Sequence, residues 1–186
     1  MKKVFIIHGF DSKPDSGWLP WLLDELQRRG IYGSALAMPD PGSPILHEWV
    51  AELDSHITAG QNDEIYLVGH SLGATTILRY LESDKPKRNI AGAVLVSGPC
   101  EPVGEPKIEG FLEALFRFDI IKEKVGKVAI IHGDNDRLVP LAHAHKLSRE
   151  LGGELIVIQN GGHLSGTSKH YSLQACMDAL EKMMFN

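Results

Sequence analysis

Six short apolar runs, separated by segments of helical period, most constrain how this chain of 186 residues can fold. The runs cover residues 4–7, 35–38, 65–68, 93–96, 128–131 and 155–158, and a glycine, a proline or a polar residue follows each of them. Strands that are covered by helices on both faces are apolar throughout in this way. The segments at 18–26, 45–57, 71–81, 140–151 and 172–184 have the spacing of helices. This alternation predicts an α/β fold with about six mainly parallel strands joined by crossover helices.

Length and composition predict one domain, residues 1–186. The chain has 43% hydrophobic and 23% charged residues, in the ordinary range for a globular domain. A chain of this size buries roughly 70% of the surface of its unfolded state, so it needs neither a disulfide nor a structural metal. We therefore interpret Cys100 and Cys176 as incidental. The net charge of −5, with no basic run longer than a pair, argues against nucleic-acid binding.

The N-terminal apolar run, residues 4–7, is shorter than the roughly 7 to 15 residues of a signal-peptide core. No stretch approaches the roughly 20 apolar residues of a membrane-spanning helix, and neither end carries a lipidation motif. We therefore expect a cytoplasmic protein without a membrane partner. The sequence leaves the oligomeric state open.

The motif Gly69-His70-Ser71-Leu72-Gly73 is the strongest chemical signal in the sequence. This G-x-S-x-G follows a predicted strand directly and opens a predicted helix, the context in which the serine of a nucleophile elbow is found. Both glycines are expected to be required, because side chains there would collide as strand and helix approach. We predict that Ser71 is a nucleophile rather than a plain helix N-cap.

A serine hydroxyl needs a histidine base and an acid that orients the imidazole, in the chain order Ser, Asp, His. His163 follows the last predicted strand and is flanked by Gly161 and Gly162, so we predict that it is the base. The preceding strand is followed by two aspartates. We favour Asp136 as the acid, because the loop has to leave the sheet before a carboxylate can turn towards His163. Asp134 is then expected to brace the turn by bonding its own backbone.

Backbone amides are expected to hold the oxyanion. One is the amide of Leu72, the residue after the nucleophile, as elbow geometry provides. For the second oxyanion donor we choose the amide of Phe10. The loop after the first strand places Gly9 directly before it, at a position that requires close approach of the backbone. We interpret the neighbouring His8 as structural.

The remaining candidates favour neither a metal nor a cofactor. His143 and His145 lie two apart on a predicted helix, so they face different sides and cannot bind one metal ion. Cys100 has no basic neighbour in sequence to activate a thiolate, and we interpret it as a spectator. Trp18 is expected to be a core residue of the first helix, with a place at the pocket mouth as the alternative. The least regular segment, residues 98–126, offers the only room for a lid.

Together these residues make the chain resemble the α/β-hydrolase superfamily and, within it, the small retinoblastoma-binding-protein-9-like serine hydrolases. The resemblance runs nearly end to end. Its more specific parts are the tryptophan-containing first helix and the run Met38-Pro39-Asp40-Pro41, whereas the elbow and the histidine loop mark the superfamily. It implies a compact, Rossmann-like three-layer fold without a large cap domain, and a triad of Ser71, Asp136 and His163. It implies no particular substrate, and residues 99–118 match least.

The sequence thus predicts a cofactor-independent serine hydrolase that cleaves a small ester, thioester or amide through an acyl-enzyme. Its partner would be a small-molecule acyl substrate. The neighbours of the proposed site would favour an uncharged acyl group; they are Phe10, Trp18, Leu72, Leu138 and Leu164. Two alternatives stay open: a catalytically silent protein-binding module with the same fold, and an acyltransferase that uses the same triad.

Overall fold

The apolar runs predicted as strands all lie in one sheet. The computed structural model describes residues 1–57, 60, 62–86 and 89–185, and within these ranges the sheet has six strands, all parallel, in the order β2-β1-β3-β4-β5-β6. The strands are β1 (Lys2–Ile7), β2 (Tyr32–Leu36), β3 (Glu64–His70), β4 (Ile90–Val96), β5 (Val125–Gly133) and β6 (Glu154–Ile158). The α/β prediction is confirmed.

Helices cover both faces of this sheet and divide the core into two layers. The helices are α1 (Leu19–Arg28), α2 (Leu46–His56), α3 (Leu72–Glu82), α4 (Phe118–Lys124), α5 (Leu141–Leu151) and α6 (Gln174–Phe185). Residues of α2, α3, α4 and α5 form the core on one face, and residues of α1 and α6 form the core on the other. The carboxyl ends of the strands therefore meet at one edge, where the polar loops of a parallel α/β sheet carry its site.

The segment at 98–126 is more regular than the sequence analysis predicted. It contains a 3₁₀ helix at Pro106–Phe111 and the short helix α4. The carboxylate of Glu105 accepts a hydrogen bond from the amide of Lys107 and caps the 3₁₀ helix. Elements this short contain too few turns to show a hydrophobic period, so tertiary contacts determine them.

The second strand also begins earlier than predicted, at Tyr32 rather than at residue 35. It is an edge strand that pairs with β1 alone, and Tyr32 is about half exposed. The partly exposed residues at the start of β2 therefore lack the continuous apolar pattern of a central strand. Met38 lies beyond the strand, where its amide donates a hydrogen bond to Nε2 of His8. This contact agrees with the structural role predicted for His8.

Candidate active site

Ser71 lies in the turn between β3 and α3 with φ 53° and ψ −121°, a conformation that is strained for any residue with a side chain. The glycines on either side allow this turn. A Cβ at Gly69 would lie 2.5 Å from the amide nitrogen of Ala74, and one at Gly73 would lie 2.2 Å from the carbonyl oxygen of Ile7. The backbones of β1, β3 and α3 therefore approach more closely than side chains permit, and the turn presents Ser71 above the edge of the sheet.

His163 is in the loop that follows β6, and its Nε2 lies 2.9 Å from the hydroxyl oxygen of Ser71. The loop reaches Ser71 because it packs directly against the end of β5. A Cβ at Gly133 would lie 2.1 Å from the carbonyl oxygen of Gly162. Gly162 itself has a φ of 55°, a left-handed conformation that favours glycine.

Asp136 completes a chain of hydrogen bonds. Its Oδ2 lies 2.7 Å from Nδ1 of His163, and its Oδ1 accepts hydrogen bonds from the amides of Leu138 (2.9 Å) and Val139 (3.0 Å). The carboxylate is fully buried. Burial by itself raises the pKa of Asp136, but the hydrogen bond from His163, the positive charge of that imidazole and the two amides together lower it below its ordinary value. The carboxylate is therefore ionised at neutral pH.

Asp134 braces the neighbouring turn, but not through its own backbone as predicted. Its Oδ1 accepts a hydrogen bond from the amide of Asn160, 2.7 Å away, in the turn after β6. The side-chain oxygen of Asn135 accepts one from the amide of Gly162, also at 2.7 Å. The loop after β5 and the loop that carries His163 are thus joined by the two residues directly before Asp136, which explains why the turn cannot be understood from local sequence alone.

The loop after β1 comes close to Ser71. A Cβ at Gly9 would lie 3.1 Å from Cβ of Ser71, so a larger residue there would press on the serine side chain. The next amide along the chain is that of Phe10, and the amide of Leu72 begins α3. Within the described ranges neither amide donates a hydrogen bond to another protein group. Neither amide is therefore occupied by a protein acceptor in the described part of the chain.

Two buried histidines that the sequence analysis gave no role contact these loops. Nε2 of His70 lies 2.9 Å from the carbonyl oxygen of His163. His132, at the end of β5, has its Nε2 2.9 Å from the carbonyl oxygen of Val139 and 3.5 Å from Oδ2 of Asp136. A histidine at the carboxyl end of an apolar strand is a sequence signal for a side chain that holds a nearby loop through a backbone carbonyl group. The signal does not identify which carbonyl group accepts the hydrogen bond.

A cleft of about 760 Å³ opens beside Ser71 and His163. Its apolar wall consists of Phe10, Leu19, Pro99, Val103, Ile108, Leu138 and Val139, and its hydroxyl groups come from Ser12, Ser16, Ser165 and Thr167. Phe10 and Leu138 line the cleft as predicted. The expectation for Trp18, Leu72 and Leu164 was wrong, because these side chains are fully buried in the two core layers. Trp18 is therefore a core residue of the first helix, as preferred in the sequence analysis, and not part of the pocket mouth.

The wall formed by residues 99–111 is attached to helix α3. The hydroxyl of Thr75 donates a hydrogen bond to the carbonyl oxygen of Pro99, and Nε of Arg79 donates one to that of Phe111. The Arg79 guanidinium also donates to the carbonyl oxygen of Ala114 and stacks on Phe116, 3.7 Å from the ring centre. Arg79 is buried and pairs with Glu82. The segment that the sequence analysis considered as a lid is thus held in place by the helix that follows Ser71.

The other candidates are Cys100 and the possible metal ligands. Burial raises the pKa of the Cys100 thiol to about 12, so this cysteine is protonated and unreactive at neutral pH. Among the described residues no three histidine, cysteine or acidic side chains are arranged to hold a metal ion. No helix in the described part of the chain is long and apolar enough to cross a membrane.

Comparisons with known proteins show the family of this chain. The family model described as Serine hydrolase matches residues 4–182. The chain belongs to the serine hydrolase family. It is 31% identical to the YdeN protein of Bacillus subtilis over 180 residues, which cover 96% of this chain and 94% of that one. Serine hydrolase RBBP9 of Rattus norvegicus is 22% identical over 157 residues, covering 83% of this chain and 81% of that one.

Solved structures show the same fold for this serine hydrolase. The crystal structure of the Bacillus subtilis ydeN gene product matches with a TM-score of 0.91 and covers 100% of both chains. TT1662 from Thermus thermophilus matches with a TM-score of 0.76 at 17% identity, covering 100% of this chain and 90% of that one. The predicted family resemblance and the compact α/β-hydrolase fold are confirmed, and the chain is an enzyme with hydrolase activity.

Proposed function

We propose that this serine hydrolase cleaves a small ester, thioester or amide through an acyl-enzyme, without a cofactor, and that Ser71, His163 and Asp136 are its catalytic triad. The observation that carries the proposal is the unbroken chain of hydrogen bonds from Asp136 through His163 to Ser71. A buried carboxylate, an imidazole and a serine in this order are the arrangement that activates a hydroxyl for acyl transfer.

In this mechanism Nε2 of His163 takes the proton as the hydroxyl oxygen of Ser71 attacks the substrate carbonyl. The buried carboxylate of Asp136 accepts the hydrogen bond from Nδ1, which fixes the imidazole tautomer and stabilises the imidazolium. The amides of Phe10 and Leu72 stabilise the oxyanion. His163 then protonates the leaving group, and water releases the acyl group by the reverse sequence of proton transfers.

The lining of the cleft supports a small acyl substrate. Val103 and Ile108 lie on the wall formed by residues 99–111, and Phe10 lies beside them in the cleft. An uncharged acyl group would bury its apolar surface against these side chains. The hydroxyl groups of Ser12, Ser16 and Thr167 would suit a polar leaving group.

The test is fluorophosphonate labelling combined with turnover of p-nitrophenyl esters of increasing acyl length. We expect the probe to modify Ser71, and we expect Ser71→Ala to lose labelling and at least about 10⁴-fold in turnover, because the nucleophile is removed. Ser55→Ala is a matched control, since Ser55 is on α2 and its hydroxyl donates to the carbonyl oxygen of Glu52. Labelling at a different serine, or unchanged turnover by Ser71→Ala, would contradict the mechanism.

A further inference from the structure

Side chains from two distant parts of the chain hold two successive carbonyl groups of the loop that carries His163. Nε2 of His70 lies 2.9 Å from the carbonyl oxygen of His163 itself. The indole Nε1 of Trp18 donates a hydrogen bond of 2.8 Å to the carbonyl oxygen of Leu164. Each donor is far from its acceptor in sequence, by 93 positions for His70 and by 146 positions for Trp18. The position of the proposed base therefore depends on residues outside its own loop.

The loop is one that needs such support. Leu164 has a φ of 47°, a left-handed conformation that a residue with a side chain rarely adopts. Such strain persists only where the surrounding structure fixes the backbone in more than one way. The two side-chain hydrogen bonds supply part of that constraint, directly at His163 and at the residue after it.

His70 also connects this loop to the nucleophile. It directly precedes Ser71, and its ring packs between Trp18 and His163, with ring centres 6.0 Å and 5.1 Å away. The contact with Trp18 is edge to face. One side chain thus contacts the proposed base and the tryptophan that holds the next residue, while its backbone forms part of the elbow.

The chemistry of the acceptor determines the state of His70. A carbonyl oxygen only accepts, so Nε2 has to carry the proton. Burial, and to a lesser extent the positive charge of a protonated His163, together lower the pKa of His70 to about 4. His70 is thus a neutral donor at the pH where an imidazole base works. A permanent cation at this position would oppose the positive charge that His163 acquires when it accepts the serine proton.

We propose that His70 is a positioning residue, which, together with Trp18, holds the His163 loop in register with Ser71. This inference depends on the proposed role of His163 as the base. It predicts that removal of the donor at residue 70 impairs the chemical step more than substrate binding. His70 lines the cleft beside Ser71, but the apolar wall is formed by other residues, among them Val103 and Ile108.

The experiment compares His70→Leu, which keeps bulk but has no donor, with His70→Gln, whose amide nitrogen reaches about as far as Nε2. We expect His70→Leu to lower kcat on the order of 10²-fold, the effect of a misplacement of about 1 Å, at a similar KM. The midpoint in the pH profile of its kcat/KM should also move to lower pH, because Asp136 stabilises the imidazolium of a displaced His163 less well. His70→Gln should recover most of the lost kcat and the original midpoint.

Tyr80→Phe is the matched control. Tyr80 is also buried, and its hydroxyl donates a hydrogen bond to Oδ1 of Asp54 on α2, which belongs neither to the His163 loop nor to the cleft. It should lose stability without a change in kcat. If His70→Leu does not fold, Trp18→Phe and His70→Asn replace it. The phenylalanine keeps the packing but lacks the donor to Leu164, and the asparagine amide is too short to reach His163; both should lower kcat.

The proposal is overturned if His70→Leu, or its two replacements, keep the wild-type kcat and pH midpoint. It is also overturned if His70→Gln is as impaired as His70→Leu, since the shape of the ring would then matter rather than the donor. These results differ from a failure of the proposed function, in which the wild-type enzyme itself would not be labelled at Ser71.

Discussion

At the scale of single residues, the two aspartates of one loop show how surroundings separate side chains of the same chemistry. The carboxylate of Asp136 is fully buried, with hydrogen bonds to His163 and two backbone amides, whereas Asp134 is exposed and accepts from the amide of Asn160. The first interaction concerns the proposed base, and the second joins two turns. Substitutions at these positions should therefore have different consequences.

We predict that Asp136→Asn lowers turnover on the order of 10⁴-fold while the fold persists, because an amide favours the wrong imidazole tautomer. Asp134→Asn should retain turnover and lose about 1 kcal/mol of stability, as expected when one hydrogen bond, here to the amide of Asn160, weakens. Ester turnover and urea unfolding of both variants test this. A reversed order of turnover, with both variants folded by circular dichroism, would assign the acid to Asp134.

Sequence reasoning predicts the candidate site residues that leave a local pattern, and the structure brings these residues together. Ser71 lies in a G-x-S-x-G motif, and His163 follows a strand end and two glycines. Asp136 lies in the loop after the preceding strand, where the chain order Ser, Asp, His requires the acid. The hydrogen bond from His70 to the carbonyl oxygen of His163 joins positions 93 residues apart and leaves no such pattern. The bond of Asp134 to Asn160 was missed for the same reason, since its acceptor and donor belong to different turns.

At the scale of secondary-structure elements, the close approach of β1 to the start of α3 determines the shape of the elbow. We predict that Gly73→Ala lowers the free energy of unfolding by about 1–3 kcal/mol or more, because its methyl group would overlap the carbonyl oxygen of Ile7 and force the backbones apart. Turnover should fall as well, since the elbow would move.

Gly110→Ala is the control for this glycine substitution. Gly110 lies in the 3₁₀ helix, and a Cβ there meets no atom within 4 Å, so the change in stability should stay within about 0.5 kcal/mol. Urea unfolding of the two variants gives the comparison. Equal stability of Gly73→Ala and Gly110→Ala would mean that β1 and α3 are not in such close contact.

The predictability of the elements follows their burial. Strands such as β3 and β4, buried on both faces, were found because their residues are uniformly apolar. The edge strand β2 was displaced in the prediction, since Tyr32 and its neighbours are partly exposed. Helix α4 was missed because its seven residues form only about two turns, which is too short for its apolar residues to show a helical period.

At the scale of the whole molecule, buried histidines link stability to pH. Burial lowers the pKa of His8, His70, His132 and His143, so each of them binds a proton more readily in the unfolded chain than in the folded one. Stability rises with pH wherever the unfolded state binds more protons. For His70 this range extends from about pH 4 to the ordinary value of 6.5.

We predict that the free energy of unfolding decreases as the pH is lowered from 7 to 4.5, with roughly 3 kcal/mol available from His70 alone over its full range. The lowered pKa of Asp136 contributes stability that is lost only at more acidic pH. Urea unfolding at several pH values measures the slope. His70→Leu should have a shallower slope, because leucine cannot bind a proton in the unfolded chain. A flat profile of the wild type over this range would contradict the prediction.

Thr75 and Arg79, one turn apart on α3, bind the backbone at both ends of the cleft wall, at Pro99 and at Phe111. The same helix begins directly after Ser71. Ser71 and the wall formed by residues 99–111 are therefore joined through one helix, and we expect a substrate to meet a preformed cleft. We expect stopped-flow binding of a slowly reacting ester to show a single phase whose rate is proportional to ester concentration; a rate that saturates would indicate a rearrangement. Substrate choice would then depend on the shape of a fixed surface rather than on the energy of closing it.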